Sequence, residues 1–181
     1  MEATIGIDES LDALFAPFAS TVGRDTKMNL RRLLSEGNLS AREAAPVLVS
    51  LAQSLNCERL LELGCAWMGQ AGYSDSEIVE ARESAALMAM LNTYYSFRQK
   101  VDNDDYGAAG LRMTALGKPQ LGKVQFEMVA FSVSVLNGCQ MCITNHERVL
   151  REAGLGTEKL HDLARLAAVV LATHRIFGTR S

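Results

Sequence analysis

Apolar positions recur along this chain at helical spacing almost throughout. Leu11, Leu14, Phe15 and Phe18 form a first stripe, and Leu30, Leu33 and Leu34 a second, which Gly37-Asn38 closes. Ser40-Ala-Arg-Glu43 has the form of a capping box, in which a serine hydroxyl accepts an orphan N–H and a glutamate reaches back. It opens a predicted helix through Val47, Leu48, Leu51 and Leu55, with Pro46 as a candidate kink. A second box, Ser74-Asp-Ser-Glu77, starts a long Ala- and Met-rich helix predicted to run to about Lys100. The polar, glycine-bearing stretch Val101–Gly110 is the clearest loop. Pro119 and Gly122 precede a helix from Lys123 to Leu136, Asn137-Gly138 breaks it, and a new helix starts near Cys139 and runs to Ala153. The last helix spans Thr157 to Phe177. One alternating run, Phe131-Ser-Val-Ser-Val135, has a partial strand signature, but its flanks continue a longer apolar run and favour helix. The fold class expected is all-α. Val47–Asn56 ends in Leu-Asn before Cys57 as Met128–Asn137 ends in Leu-Asn before Gly138-Cys139, a faint echo of a helical duplication.

Length and composition narrow the picture further. The 181 residues fit a single domain, 1–181, with a first half of about 1–100 and a second of about 111–181. Hydrophobic residues make up 48%, enough for a sizeable core and incompatible with intrinsic disorder. With 18 basic against 21 acidic residues and 6% aromatics, the chain has neither the charge nor the stacking platform expected of a nucleic-acid binder. The stretch Met1–Ser20 carries Glu2, Asp8, Glu9 and Asp12 and does not read as a signal peptide. Val124–Ile143, the most apolar stretch, contains Glu127 and the Asn137-Gly138 break and does not read as a membrane span. Four cysteines without an export signal point to a reducing, cytoplasmic setting, where a close pair is catalytic or metal-binding more often than structural.

Cys139, Cys142 and His146 are that cluster. At about 3.6 residues per turn they share one helical face, with the sulfurs within bridging reach and the imidazole one turn on. In a first helical turn both sulfurs feel the positive end of the helix dipole, which favours thiolate, and a nearby histidine can take the thiol proton. As for most such pairs, Cys139 reads as the more exposed nucleophile. The bland alternative is two buried cysteines acting as small hydrophobes. Zinc is the sharper alternative: three ligands are at hand, but no second CxxC or HxxxH follows, and a fourth would have to come from a distant helix. Haem attachment fails because Ile143 follows the second cysteine. Glu127, the sole acid between Lys123 and Glu147, is either a carboxylate at a solvent edge or a partly buried one that exchanges protons with His146 or a thiol. Cys57 and Cys65 read as buried thiols, Trp67 as a filler between helices, and Leu87, Met88, Met90 and Leu91 as core. His161 and His174 read as surface or capping groups, and Arg98 and Arg112 as bridges between helices or subunits.

The run FEMVAFSVSVLNGCQMCITNHERVLREAGL resembles the active-site region of the alkyl hydroperoxide reductase D (AhpD) family, in the carboxymuconolactone decarboxylase-like superfamily. The segments YYSFRQ…GLRMTALGKP…GKVQFE and NLSAREAAPVLVSLAQSLN…LLELGC extend the likeness over most of the chain. The family pattern, a glutamate followed by Cys-x-x-Cys-x-x-x-His, is met by Glu127, Cys139, Cys142 and His146. The resemblance implies an internally duplicated helical subunit, commonly a homotrimer, that reduces organic hydroperoxides. In that reading Cys142 attacks the peroxide and becomes a sulfenic acid, Cys139 closes a disulfide with it, and Glu127 and His146 relay protons. It further implies no bound cofactor and no metal, with electrons drawn from lipoyl groups on a dihydrolipoamide acyltransferase and in some members passed to a peroxiredoxin. One departure stands out: the family's best-known members carry histidine immediately before the second cysteine, where this chain has Met141. A thiol-disulfide relay or redox sensor of the same fold, with little peroxidase activity, is therefore the alternative. Decarboxylation is disfavoured, since the CxxC is superfluous to it.

Overall fold

The computed structural model describes residues 5–101 and 104–180. Glu2 and, from the expected loop, Asp102 and Asn103 lie outside them. Eight α-helices follow one another among the described residues: α1 (Ile5–Phe15), α2 (Thr21–Ser35), α3 (Ala41–Ser54), α4 (Glu58–Gln70), α5 (Asp75–Val101), α6 (Lys123–Asn137), α7 (Gln140–Glu152) and α8 (Thr157–Phe177). Short 3-10 turns at Asp104–Tyr106, Thr114–Gly117 and Gly178–Arg180 complete the order, and no strand occurs among these residues.

A helix that is apolar all round must be buried on every side. Two segments meet that description. In α3 every residue from Ala44 to Ala52 is buried, and in α6 every residue from Met128 to Ser134. These helices pack against each other at the centre, α5 and α8 lie against both, and α4 and α7 flank α3 and α6 respectively. The alternating run Phe131–Val135 is thus helical, its serines answered within the core: Ser132 Oγ donates to the Met128 carbonyl at 2.9 Å, and Ser134 Oγ accepts from Asn92 at 2.9 Å. Phe18 falls just past the end of α1, yet it serves the core by stacking with Phe15 and Phe177.

Both predicted capping boxes form. Ser40 Oγ accepts the Glu43 N–H while the Glu43 carboxylate accepts the Ser40 N–H at 2.8 Å, and Ser74 and Glu77 repeat the exchange. Burial alone would raise the Glu43 carboxyl, but the Lys159 ammonium and the Ser40 donors outweigh it and hold it below the usual carboxylate value. The α2–α3 turn is fastened from the other end of the chain. The fully enclosed Asp162 carboxylate, on α8, accepts the Asn38 backbone N–H at 2.7 Å and its side-chain amide at 2.8 Å, and pairs with Arg165. Desolvation pushes the Asp162 carboxyl up, and those donors more than reverse it, so it too is held low.

α4 has no counterpart among the sequence expectations. Its N-cap is Cys57, which makes no side-chain capping bond, and Asn56 before it has φ 53°, so the usual serine or aspartate start signal is absent. Trp67 is buried against the core as expected, and so is Cys57, but Cys65 is only partly buried. Burial raises both thiols above their ordinary pKa.

Candidate active site

The site grows out of the break between α6 and α7. Gly138 takes φ 68°, a left-handed conformation that glycine adopts without the Cβ penalty. The turn sends the Cys139 N–H back to the Ser134 carbonyl at 3.2 Å. Cys139 is thereby the N-cap of α7, where its sulfur accepts the Cys142 N–H at 3.3 Å. Cys142 sits in the first helical turn, its Cα 5.3 Å from that of Cys139, and the two sulfurs are joined as a disulfide. The expected order of exposure is reversed. Cys139 is 0% exposed, whereas Cys142 is 6% exposed and borders a cavity. Cys139 is placed inside the α6–α7 corner rather than on the outer face of a helix, which is why the ordinary CxxC expectation fails here.

Because the chain folds back at Gly138, Glu127 on α6 arrives beside His146 on α7. Their Oε2 and Nδ1 atoms lie 2.6 Å apart, both side chains largely buried. Glu127 is therefore not a lone carboxylate at a solvent edge. With Cys142, Asn145 and Lys123 this pair supplies polar groups to the lining of a cavity of about 690 Å³. Tyr95, Met113, Leu116, Phe126 and Met141 supply its apolar side. The stretch carrying Met113 and Leu116 is fixed at its far end by Glu80 of α5, whose carboxylate accepts the N–H groups of Gln120 at 2.9 Å and Leu121 at 2.7 Å.

One residue bordering the cavity was not singled out from the sequence. Asn92 of α5 is buried, borders the same cavity and donates to Ser134 Oγ, while its own carbonyl oxygen accepts from the Asn137 amide at 2.9 Å. It thus ties α5 to the last turn of α6, one step from the cysteine corner. The available signal was an amide inside an otherwise apolar stripe, Leu87 to Leu91 followed by Asn92. Among the described residues no group of three or more His, Cys, Asp and Glu side chains has a metal-holding arrangement. His161 is exposed and His174 partly so. Arg98 donates to the Gly107 carbonyl at 2.7 Å and lies over the Tyr106 ring, bridging α5 to the following turn, whereas Arg112 is exposed.

The capping geometry shifts the register of the sequence echo by one residue. The Cys57 N–H returns to the Ala52 carbonyl at 2.9 Å, just as the Cys139 N–H returns to Ser134, so corresponding positions are 82 residues apart. Asn56 then matches Gly138 rather than Asn137, and the shared Leu-Asn pairs are one residue out of step.

Comparison with known proteins bears directly on this corner. A family model described as the carboxymuconolactone decarboxylase family matches residues 107–178, which include the α6–α7 hairpin. The chain is 40% identical to an alkyl hydroperoxide reductase AhpD of Anaeromyxobacter dehalogenans, over 82% of this chain and 81% of that protein. It is 37% identical to one from Streptomyces coelicolor, over 90% and 92%, and 33% identical to one from Rhizorhabdus wittichii, over 91% and 96%.

Proposed function

The chain belongs to the alkyl hydroperoxide reductase AhpD family, and from that membership we propose that it is a thiol peroxidase for organic hydroperoxides acting through Cys139 and Cys142. The observation that carries the reading is the convergence of Cys142, His146 and Glu127 on one cavity, with Cys139 bonded to Cys142 from behind. In the reduced protein the Cys142 thiolate attacks the terminal oxygen of the hydroperoxide. The O–O bond breaks, an S–O bond forms, and the alkoxide takes a proton from the His146–Glu127 pair to leave as the alcohol. Cys139 then attacks the sulfenic sulfur, forming the disulfide and expelling water. A dithiol returns both sulfurs to thiols and is itself oxidised to a disulfide.

The reductant in this reading is a lipoyl group, borne on the lipoyl domain of a dihydrolipoamide acyltransferase, with a peroxiredoxin as a further electron acceptor. No bound cofactor or metal is required. The subunit acts as a homo-oligomer, a trimer, in the cytoplasm, and no helix among the described residues is long and apolar enough to cross a membrane. A second reading rests on Met141: without a histidine beside Cys142, the pair would serve as a thiol-disulfide relay that exchanges with lipoyl domains and consumes little peroxide.

Purified protein with dihydrolipoamide and an organic hydroperoxide separates the two. The peroxidase reading expects peroxide consumption that Cys142→Ser abolishes. Disulfide exchange with the donor, without peroxide consumption, would establish the relay instead.

A further inference from the structure

A second cavity shares Met141 with the thiol cavity. Tyr95, Met113 and Met141 border both spaces, so they form a common threshold. The outer cavity, about 540 Å³, lies between the last turns of α5 and residues 107–110, with Tyr94 and Arg98 on the helix side and Ala109 on the other. Its surface is mostly apolar. The one cation among its described lining residues, Arg98, is already engaged with the Gly107 carbonyl and the Tyr106 ring and so braces the wall. Glu127, His146 and Cys142, with Lys123 and Asn92, border the inner cavity, Met141 borders both, and the outer cavity offers chiefly the apolar surfaces of Tyr94, Tyr95, Met113 and Ala109 beside the braced Arg98.

We propose that the outer cavity holds the alkyl tail of the hydroperoxide and that Met141 is the residue that sets this preference. The inference rests on the peroxidase reading and specifies its substrate class: hydroperoxides with an unbranched, uncharged tail several carbons long. Polar groups in the inner cavity and a chiefly apolar outer one orient such an amphiphile with its O–O bond toward Cys142 and its tail across the threshold. Methionine suits the threshold. It is unbranched and polarisable, and at 43% exposed it has room to shift aside as the tail passes. A histidine there would put a hydrogen-bonding ring where hydrocarbon has to lie.

Two substitutions test the slot at different points. Met141→Gln keeps the length of the threshold residue and makes it polar. Ala109→Phe fills the outer cavity far from the sulfurs. With 1-octyl and tert-butyl hydroperoxide as probes, each is expected to lower the octyl-to-tert-butyl ratio of kcat/KM by about tenfold, through KM for the octyl compound. Met141→Leu should keep the wild-type ratio. Ratios unchanged in both Met141→Gln and Ala109→Phe would overturn the proposal. A binding readout independent of turnover accompanies the kinetics: 1-octanol should slow iodoacetamide alkylation of reduced Cys142 in the wild type and lose that effect in both variants. Absence of protection in the wild type would overturn the slot even if peroxide were consumed. Protection without consumption of either peroxide would sustain the slot and sink the peroxidase reading.

Discussion

Glu127 and His146 reach each other from different helices, so neither holds its orientation alone. A carboxylate on Nδ1 fixes the ring's orientation and tautomer, and so which nitrogen faces the cavity in the proposed proton relay. Glu127→Gln should therefore lower kcat/KM by about 10²–10³-fold with little change in helix content, and His146→Gln by a similar factor. The double variant should be no worse than the poorer single one, because the two act as a unit; steady-state kinetics on all four proteins would show strictly additive losses if they did not. Both residues were legible in the sequence, since an acid in an apolar run and a histidine one turn after a CxxC are conspicuous. Which sulfur faces the cavity was not legible from spacing, which favoured Cys139; only the family resemblance pointed to Cys142. Exposure depends on how deeply the α6–α7 corner is set into the rest of the molecule, and spacing along one helix carries no such information.

At the level of elements, capping boxes marked two helices, and α6 and α8, which start on Gly122 and Gly156 without a side-chain cap, were read from their apolar runs and flanking breaks, but α4 offered no start signal. α3 and α5 announce themselves through Ser40 and Ser74, whereas α4 begins on Cys57 with no such bond and went unread. The wall between α5 and α6 was equally hidden, because its position comes from Glu80, some 40 residues earlier in the chain, accepting two loop N–H groups. The clasp between α8 and the α2–α3 turn offers a quantitative check. Replacing Asp162 with Asn removes a buried charge that accepts three sets of donors, and hydrogen bonds to a buried charge contribute about 1.5–3 kcal/mol. Urea denaturation at pH 7 should therefore find Asp162→Asn less stable by about 2 kcal/mol. The folded pKa of Asp162 lies below its unfolded one, so this advantage is complete above about pH 4 and shrinks as pH falls through the folded value. A gap that widened on acidification would contradict the clasp.

Taken whole, the molecule is organised around α3 and α6, which share one core although they lie in different halves of the chain. Neither half can bury its central helix without the other. Unfolding followed by Trp67 fluorescence and by far-UV circular dichroism is therefore expected to give a single coincident transition; separated midpoints would mean that the halves fold independently. Counting back 82 residues from Glu127, Cys139, Cys142 and His146 leads to Ala45, Cys57, Leu60 and Gly64. There the space is filled by packing: Ala45 and Leu60 are fully buried, and a Cβ on Gly64 would come within 2.9 Å of the Val49 side chain. Among the described residues the proposed cycle is thus left with one doorway. Since Cys139 has no exposed surface and Cys142 borders the cavity, oxidant and reductant in the proposed cycle have to queue for the same sulfur. The spent alcohol must vacate before a dithiol can enter, and the corner between α6 and α7 acts as a turnstile that admits the two half-reactions one at a time.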